Sequence, residues 1–137
     1  VNKIIINCLQ KKNITIFGTG NYIRDYIHVN DLCDLIEKFI TKKKLKKNEV
    51  YNVGSGKKMT IKKLYTFIAK VISKKQKKDI KIKYMNEKKF NDESIFRNYL
   101  ADISKVKLNL RWYPKIDLLE SVEKQIDYNI KINNFNR

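Results

Sequence analysis

A chain of 137 residues, 42% of them apolar and including six Phe, eight Tyr and one Trp, can build one modest core and is too short for two domains. That composition excludes wholesale disorder. The formal charge of +17 is almost all lysine, with arginine only at Arg24, Arg97, Arg111 and Arg137, whereas bidentate reading of bases and phosphates favours arginine.

The lysine runs Lys42-Lys43-Lys44, Lys62-Lys63 and Lys74-Lys75 fall where helix ends and outer faces are expected, so the charge reads as solvated surface and no nucleic-acid partner is expected. No stretch approaches the roughly 18 apolar residues of a membrane span, so no membrane partner is expected and the expected location is the cytoplasm. Cys8 and Cys33 lie in apolar surroundings without metal-ligand spacing, and both are expected to be reduced, buried thiols. The chain opens at Val1 with no helix start signal before Ile4, and a longer parent is the simplest account.

In chain order, Ile4 to Leu9 reads as a helix that ends in Gln10-Lys11-Lys12-Asn13. Ile14-Thr15-Ile16-Phe17 alternates as a strand and stops at the turn Gly18-Thr19-Gly20. Tyr26-Ile27-His28-Val29 predicts a second strand, and Asn30-Asp31 the cap of a helix with Leu32, Leu35, Ile36, Phe39 and Ile40 on one face. Glu49 to Val53 predicts a short buried strand before Gly54-Ser55-Gly56, and Thr60 caps a helix striped by Ile61, Leu64, Tyr65, Phe67, Ile68 and Ile72. Ile80, Ile82 and Tyr84 alternate with Lys81 and Lys83 as a half-exposed strand. A long loop is expected from Asn86 to Arg97, then a short helix from Asp102 or Ser104 to Leu110, broken by Arg111-Trp112-Tyr113-Pro114. Asp117 and Glu120 have capping-box spacing before a last helix striped by Leu118, Leu119, Val122, Ile126 and Ile130, and residues 133–137 should fray. Short strands with flanking helices make the class α/β, and several apolar faces are expected to dock on an absent neighbour.

Both glycine turns fail as dinucleotide sites, which need G-x-G-x-x-G between a strand and a helix. Ile23 stands at the third glycine position of the first turn, and Met59 at that of the second. His28, the only histidine, has no Ser or Cys partner or metal-ligand company, and a structural role is expected. Arg24, in a chain sparing of arginine, admits two readings: a surface or structural pair with Asp25, or a phosphate ligand, because a guanidinium suits diphosphate oxygens.

The run from Ile14 to Leu32, with Phe17-Gly18-Thr19-Gly20, Arg24-Asp25-Tyr26-Ile27-His28-Val29 and Asp31-Leu32, closely resembles a signature in the C-terminal half of UDP-glucose 4-epimerases and their relatives, the NAD-dependent epimerase/dehydratase family of extended short-chain dehydrogenases/reductases. Val50-Tyr51-Asn52-Val53-Gly54-Ser55-Gly56, Ala101-Asp102-Ile103-Ser104-Lys105, Leu110-Arg111-Trp112 and Pro114 to Leu118 continue the likeness in order. The resemblance implies that residues 1–132 form the small substrate-binding region of a nucleotide-sugar epimerase or dehydratase, with the Rossmann half absent. It implies Arg24 on the diphosphate of a nucleotide sugar, Phe17 with the backbone of Ile14, Thr15 and Ile16 beside the base, and Tyr26 supporting that pocket. A second arginine stands in an R-x-G-D loop in the family. The stretch Asn91 to Arg97 lacks that pattern, which leaves Arg97 as the candidate and a dehydratase or reductase open.

NAD is implied for the parent, on its N-terminal domain, with none held by this chain alone. Family chemistry uses a Tyr-x-x-x-Lys pair, and Tyr84 with Lys88 reads as an accidental match, so no catalytic residue is assigned here and the chain alone is expected to be inactive. The expected partners are the nucleotide sugar and the missing Rossmann domain, with a second copy in a homodimer as a further candidate. The alternatives are a small basic nucleic-acid-binding module and an inactive truncated remnant.

Overall fold

The computed structural model describes residues 1–11, 13–42, 48–86 and 96–132. The expected frayed tail, Lys12, Lys43 and Lys44, Lys88 and the Asn91 to Ile95 part of the loop lie outside the described residues.

Helix α1 (Asn2–Lys11) leads into strand β1 (Asn13–Phe17), whose alternation sends Ile14 and Ile16 into the core and leaves Thr15 and Phe17 half-buried on the other face. β1 pairs in parallel with β4 (Lys81–Met85), from Asn13 opposite Lys81 to Phe17 opposite Met85. Parallel strands need a long crossover, and between these two lie β2 (Ile23–Arg24), α2 (Val29–Thr41), β3 (Met59–Thr60) and α3 (Ile61–Gln76). α4 (Ser104–Leu110) and α5 (Leu118–Ile132) complete the chain. β2 and β3 form a separate antiparallel pair, Ile23 opposite Thr60 and Arg24 opposite Met59.

Two apolar clusters follow from the stripes. The larger joins α1, β1, α3 and α5 through Ile5, Cys8, Ile16, Leu64, Ile68 and Ile126, with Ile82 of β4 packed against it. Each such side chain contributes about 1.5–3 kcal/mol of transfer free energy. The smaller holds Leu35 of α2, Val106 and Leu110 of α4 and Trp112, with Ile27, Phe39 and Tyr51 against them.

Capping agrees with the sequence at two helices. The Thr60 hydroxyl accepts from the Lys63 amide at 3.1 Å, and Asp117 accepts from Leu119 at 2.9 Å and Glu120 at 3.0 Å. Glu120 does not close a capping box; it pairs with Lys124 at 2.6 Å. Lys62, Lys63, Lys74 and Lys75 are exposed on α3, as expected of solvated lysine faces.

Four expectations need correction. Tyr26 to Val29 is not a strand: residues 25–28 pair with no strand among the described residues, and Val29 already opens α2. His28 is the cap of that helix, its Nδ1 accepting from the Asn30 amide at 3.1 Å. Asp31, expected as part of a cap, is instead buried in the first turn and accepts from the backbone of Lys115 at 3.0 Å and Ile116 at 3.1 Å. Glu49 to Val53 is neither strand nor buried: only Tyr51 packs inward, and Val50 is 81% exposed. Its β-branched residues suit a pleat, but β-propensity is realised only against a neighbouring strand. Finally, Cys33 is exposed, because it shares a stripe of α2 with Val29, Ile36 and Ile40 that faces away from Leu35.

Candidate nucleotide-sugar cleft

The residues around Arg24 form a cleft of about 440 Å³ lined by Thr15, Phe17, Arg24, Asp25, Tyr26, Ile61, Tyr65 and Phe96. β1 supplies Thr15 and Phe17 by the alternation that buries its isoleucines. The start of α3 supplies Ile61 and Tyr65, one turn apart on a single face. Phe96 completes the lining and packs at 57° on Tyr22, ring centroids 5.4 Å apart.

Arg24 is half-buried. Its Nη1 donates to the carbonyl of Ile23 at 2.9 Å and to the carbonyl of Arg97, and the guanidinium carbon lies 5.1 Å from the centre of the Tyr99 ring. A cation over an aromatic face gains attraction from the ring quadrupole. Burial pushes the phenols of Tyr26 and Tyr65 upward, Tyr65 adds to the rise at Tyr26, and Arg24 opposes both shifts. One cation and two half-buried phenols therefore converge on an aromatic cleft. Such a wall suits the flat face of a base or sugar, with the guanidinium suited to an anion.

Asp25 points the other way from Arg24 in function. Its Oδ1 accepts from the Ser55 amide at 2.6 Å and the Ser55 hydroxyl at 2.5 Å, and its Oδ2 from the amides of Gly56 at 3.0 Å and Ala101 at 3.2 Å. Burial pushes this carboxyl upward, but those four bonds together outweigh burial and hold it below its ordinary value. The second glycine turn is thus a clasp partner, and Gly54 leaves no room for a side chain: a Cβ there would lie 2.6 Å from Asp25 Oδ2 and 2.7 Å from the Ala101 Cβ.

The first glycine turn docks on α3. The Lys62 amide donates to the Gly20 carbonyl at 2.8 Å and the Ile61 amide to the Tyr22 carbonyl at 3.2 Å. With Lys63 bonded to Thr60, the first three amides of α3 are occupied. Gly20 has φ +70°, and a Cβ on it would meet Ile16 Cγ2 at 2.7 Å. A β-strand, not a helix, follows that turn. A dinucleotide pyrophosphate needs open amides at a helix N-terminus behind a glycine turn, and neither turn offers that here.

Of the sequence-derived site residues, Phe17, Thr15, Arg24 and Tyr26 meet in the cleft. The side chains of Ile14 and Ile16 lie in the core. Arg97 reaches Arg24 through its backbone carbonyl, and its exposed side chain is not among the lining groups. Ile61, Tyr65, Phe96 and the clasp of Asp25 were not singled out from sequence. Ile61 and Tyr65 sit in an apolar helical stripe that reads as core, although the tyrosine at its edge was a usable signal. Tyr84 is exposed on β4.

Residues 1–125 match the family model described as GDP-mannose 4,6 dehydratase. The chain is 30% identical over 134 residues to a putative UDP-glucose 4-epimerase of Methanocaldococcus jannaschii, covering 98% of this chain and 39% of that protein. It is 26% identical over 129 residues to a dTDP-glucose 4,6-dehydratase of Escherichia coli, covering 91% and 34%. Among solved structures, the UDP-glucose 4-epimerase of Thermotoga maritima with UDP-glucose superposes with a TM-score of 0.74 at 26% identity, covering 94% of this chain and 38% of that one. The dTDP-glucose 4,6-dehydratase of Bacillus anthracis in complex with NAD gives 0.74 at 25%, covering 96% and 39%. The chain thus spans between a third and two fifths of the length of these relatives, and its small sheet and helices correspond to the C-terminal part of extended short-chain dehydrogenase/reductase structures. By these matches, the chain belongs to the NAD-dependent epimerase/dehydratase family.

Proposed function

We propose that this chain is the nucleotide-sugar-binding part of an NAD-dependent epimerase or dehydratase, with Arg24 holding the diphosphate and Phe17, Tyr26, Ile61, Tyr65 and Phe96 enclosing the rest of the nucleotide. The observation that carries this reading is a guanidinium set into an aromatic cleft. The solved relative with UDP-glucose supports the ligand class. In this reading NAD, which supplies hydride transfer, belongs to the rest of the parent, and the occupied first-turn amides of α3 support leaving it off this chain. The chain alone binds and does not turn over.

The exposed face of α2 supports a neighbour. Val29, Cys33, Ile36 and Ile40 recur at helical spacing on the solvent side, with Ile40 79% exposed. Helices apolar on two faces are covered on both, and the cofactor-binding part of the parent is the proposed cover.

Calorimetric titration of the chain with UDP-glucose, dTDP-glucose and duplex DNA tests the reading. The expected result is nucleotide-sugar binding that falls about 10- to 100-fold in Arg24→Ala, the loss of charge-assisted hydrogen bonds. Tight, steeply salt-dependent DNA binding without any nucleotide-sugar binding overturns it in favour of a basic nucleic-acid module. A folded chain that binds neither ligand supports an inactive remnant.

A further inference from the structure

We infer that Asp25 is a positioning residue for Arg24: its carboxylate fixes the backbone segment 97–101 that aims the guanidinium into the cleft. This rests on the proposed reading only in identifying what Arg24 binds. Two groups outside β2 that touch the guanidinium among the described residues, the Arg97 carbonyl and the Tyr99 ring, both sit on that segment. Three further bonds tie the segment to residues 23–25. The Ile23 amide donates to Asn98 Oδ1 at 2.8 Å, the Tyr99 amide to the Ile23 carbonyl at 3.0 Å, and the Ala101 amide to Asp25 Oδ2 at 3.2 Å. Asp25 makes the only one of these that also reaches the 54–56 turn, through Ser55 and Gly56, so it locks two chain segments to one point.

Four donors meet one carboxylate, which as an anion accepts at about four lone-pair sites. An amide in its place has only one acceptor oxygen and turns an NH₂ toward at least one backbone donor. Asp25→Asn therefore keeps the size of the side chain while breaking the clasp. Arg24 is the group through which the loss reaches a ligand, since Asp25 spends its oxygens on the protein.

The test follows the Arg24 Nε–Hε resonance in the ligand-free chain, and UDP and uridine binding alongside it. Asp25→Asn is expected to collapse the Arg24 resonance to the position of a free arginine. UDP binding should weaken about tenfold and uridine binding far less, because only UDP presents the diphosphate. In an Arg24→Lys background, Asp25→Asn should add almost no further loss, the signature of two residues acting as one unit. Ser55→Ala, which removes the hydroxyl's bond to Asp25 Oδ1 and the bond that the Lys57 amide donates to that hydroxyl, should shift the resonance part of the way and serves if Asp25→Asn does not fold. An unchanged Arg24 resonance in folded Asp25→Asn or Ser55→Ala overturns the inference, as does an undiminished loss in the Arg24→Lys background. Should the wild-type chain bind no UDP, the proposed ligand falls while the resonance still decides the role of Asp25.

Discussion

Gly54→Ala isolates the clasp from the charge that forms it. The added Cβ would lie 2.6 Å from Asp25 Oδ2, 2.7 Å from the Ala101 Cβ and 2.9 Å from Asp25 Cγ. None of these is the loose end of a flexible side chain, because Asp25 is bonded four times and the Ala101 Cβ moves only with its backbone. Overpacking at such a site costs about 2–3 kcal/mol. Gly54 has no positive φ, so alanine also removes about 0.4–1 kcal/mol of unfolded-state entropy in its favour. The net loss is about 1–2.6 kcal/mol, a fall of roughly 3–9 °C in Tm for a chain of this size. Gly56→Ala is the control. Its φ of +66° costs about 1–2 kcal/mol, and its Cβ meets only the Ile103 side chain, 3.0 Å from Cδ1. Thermal unfolding followed by circular dichroism gives both values, and amide spectra should show Gly54→Ala displacing Ser55 and Ala101 together. A Gly54→Ala protein with wild-type Tm and an unmoved Ala101 amide would refute the reasoning.

Three further outcomes follow from the same geometry. Asp31→Ala strands the Lys115 and Ile116 amides beside a buried position and should lower stability in urea by about 2–4 kcal/mol. Because Asp25 is held below its ordinary value of 3.8, its stabilisation is fully present above pH 3.8 and lost as pH falls through the lower folded value. The stability gap between wild type and Asp25→Asn should accordingly be wide at pH 6 and shrink in acid. Burial pushes the Cys8 thiol up to about 11, whereas Cys33 is exposed, so at pH 8 a thiol reagent should modify Cys33 quickly and Cys8 only in denaturant.

Helices were legible in the sequence because each carries a long stripe and, at Thr60 and Asp117, a capping side chain. β1 was legible for the same reason at period two. The misread segments, Tyr26 to Val29 and Glu49 to Val53, have residues suited to strands but no strand beside them among the described residues, and propensity carries no information about a partner. Arg24, Phe17 and Tyr26 were singled out because they sit in one contiguous, recognisable run, and they line one cleft. The structural roles of Asp25 and Asp31 were not, because each carboxylate bonds backbone 76 to 85 residues away. Ile61 and Tyr65 join the cleft only through the crossover that brings α3 against β1, and Phe96 only where the chain returns to it after β4.

The central claim, that the aromatic cleft takes the nucleotide, is tested most directly by titrating the isotope-labelled chain with UDP and following its backbone amides. Shifts concentrated at Thr15, Phe17, Arg24, Tyr26, Ile61 and Tyr65, and abolished by Arg24→Ala, are the predicted result. Shifts confined to the lysine faces of α3, or none at saturating UDP in a folded protein, would contradict it.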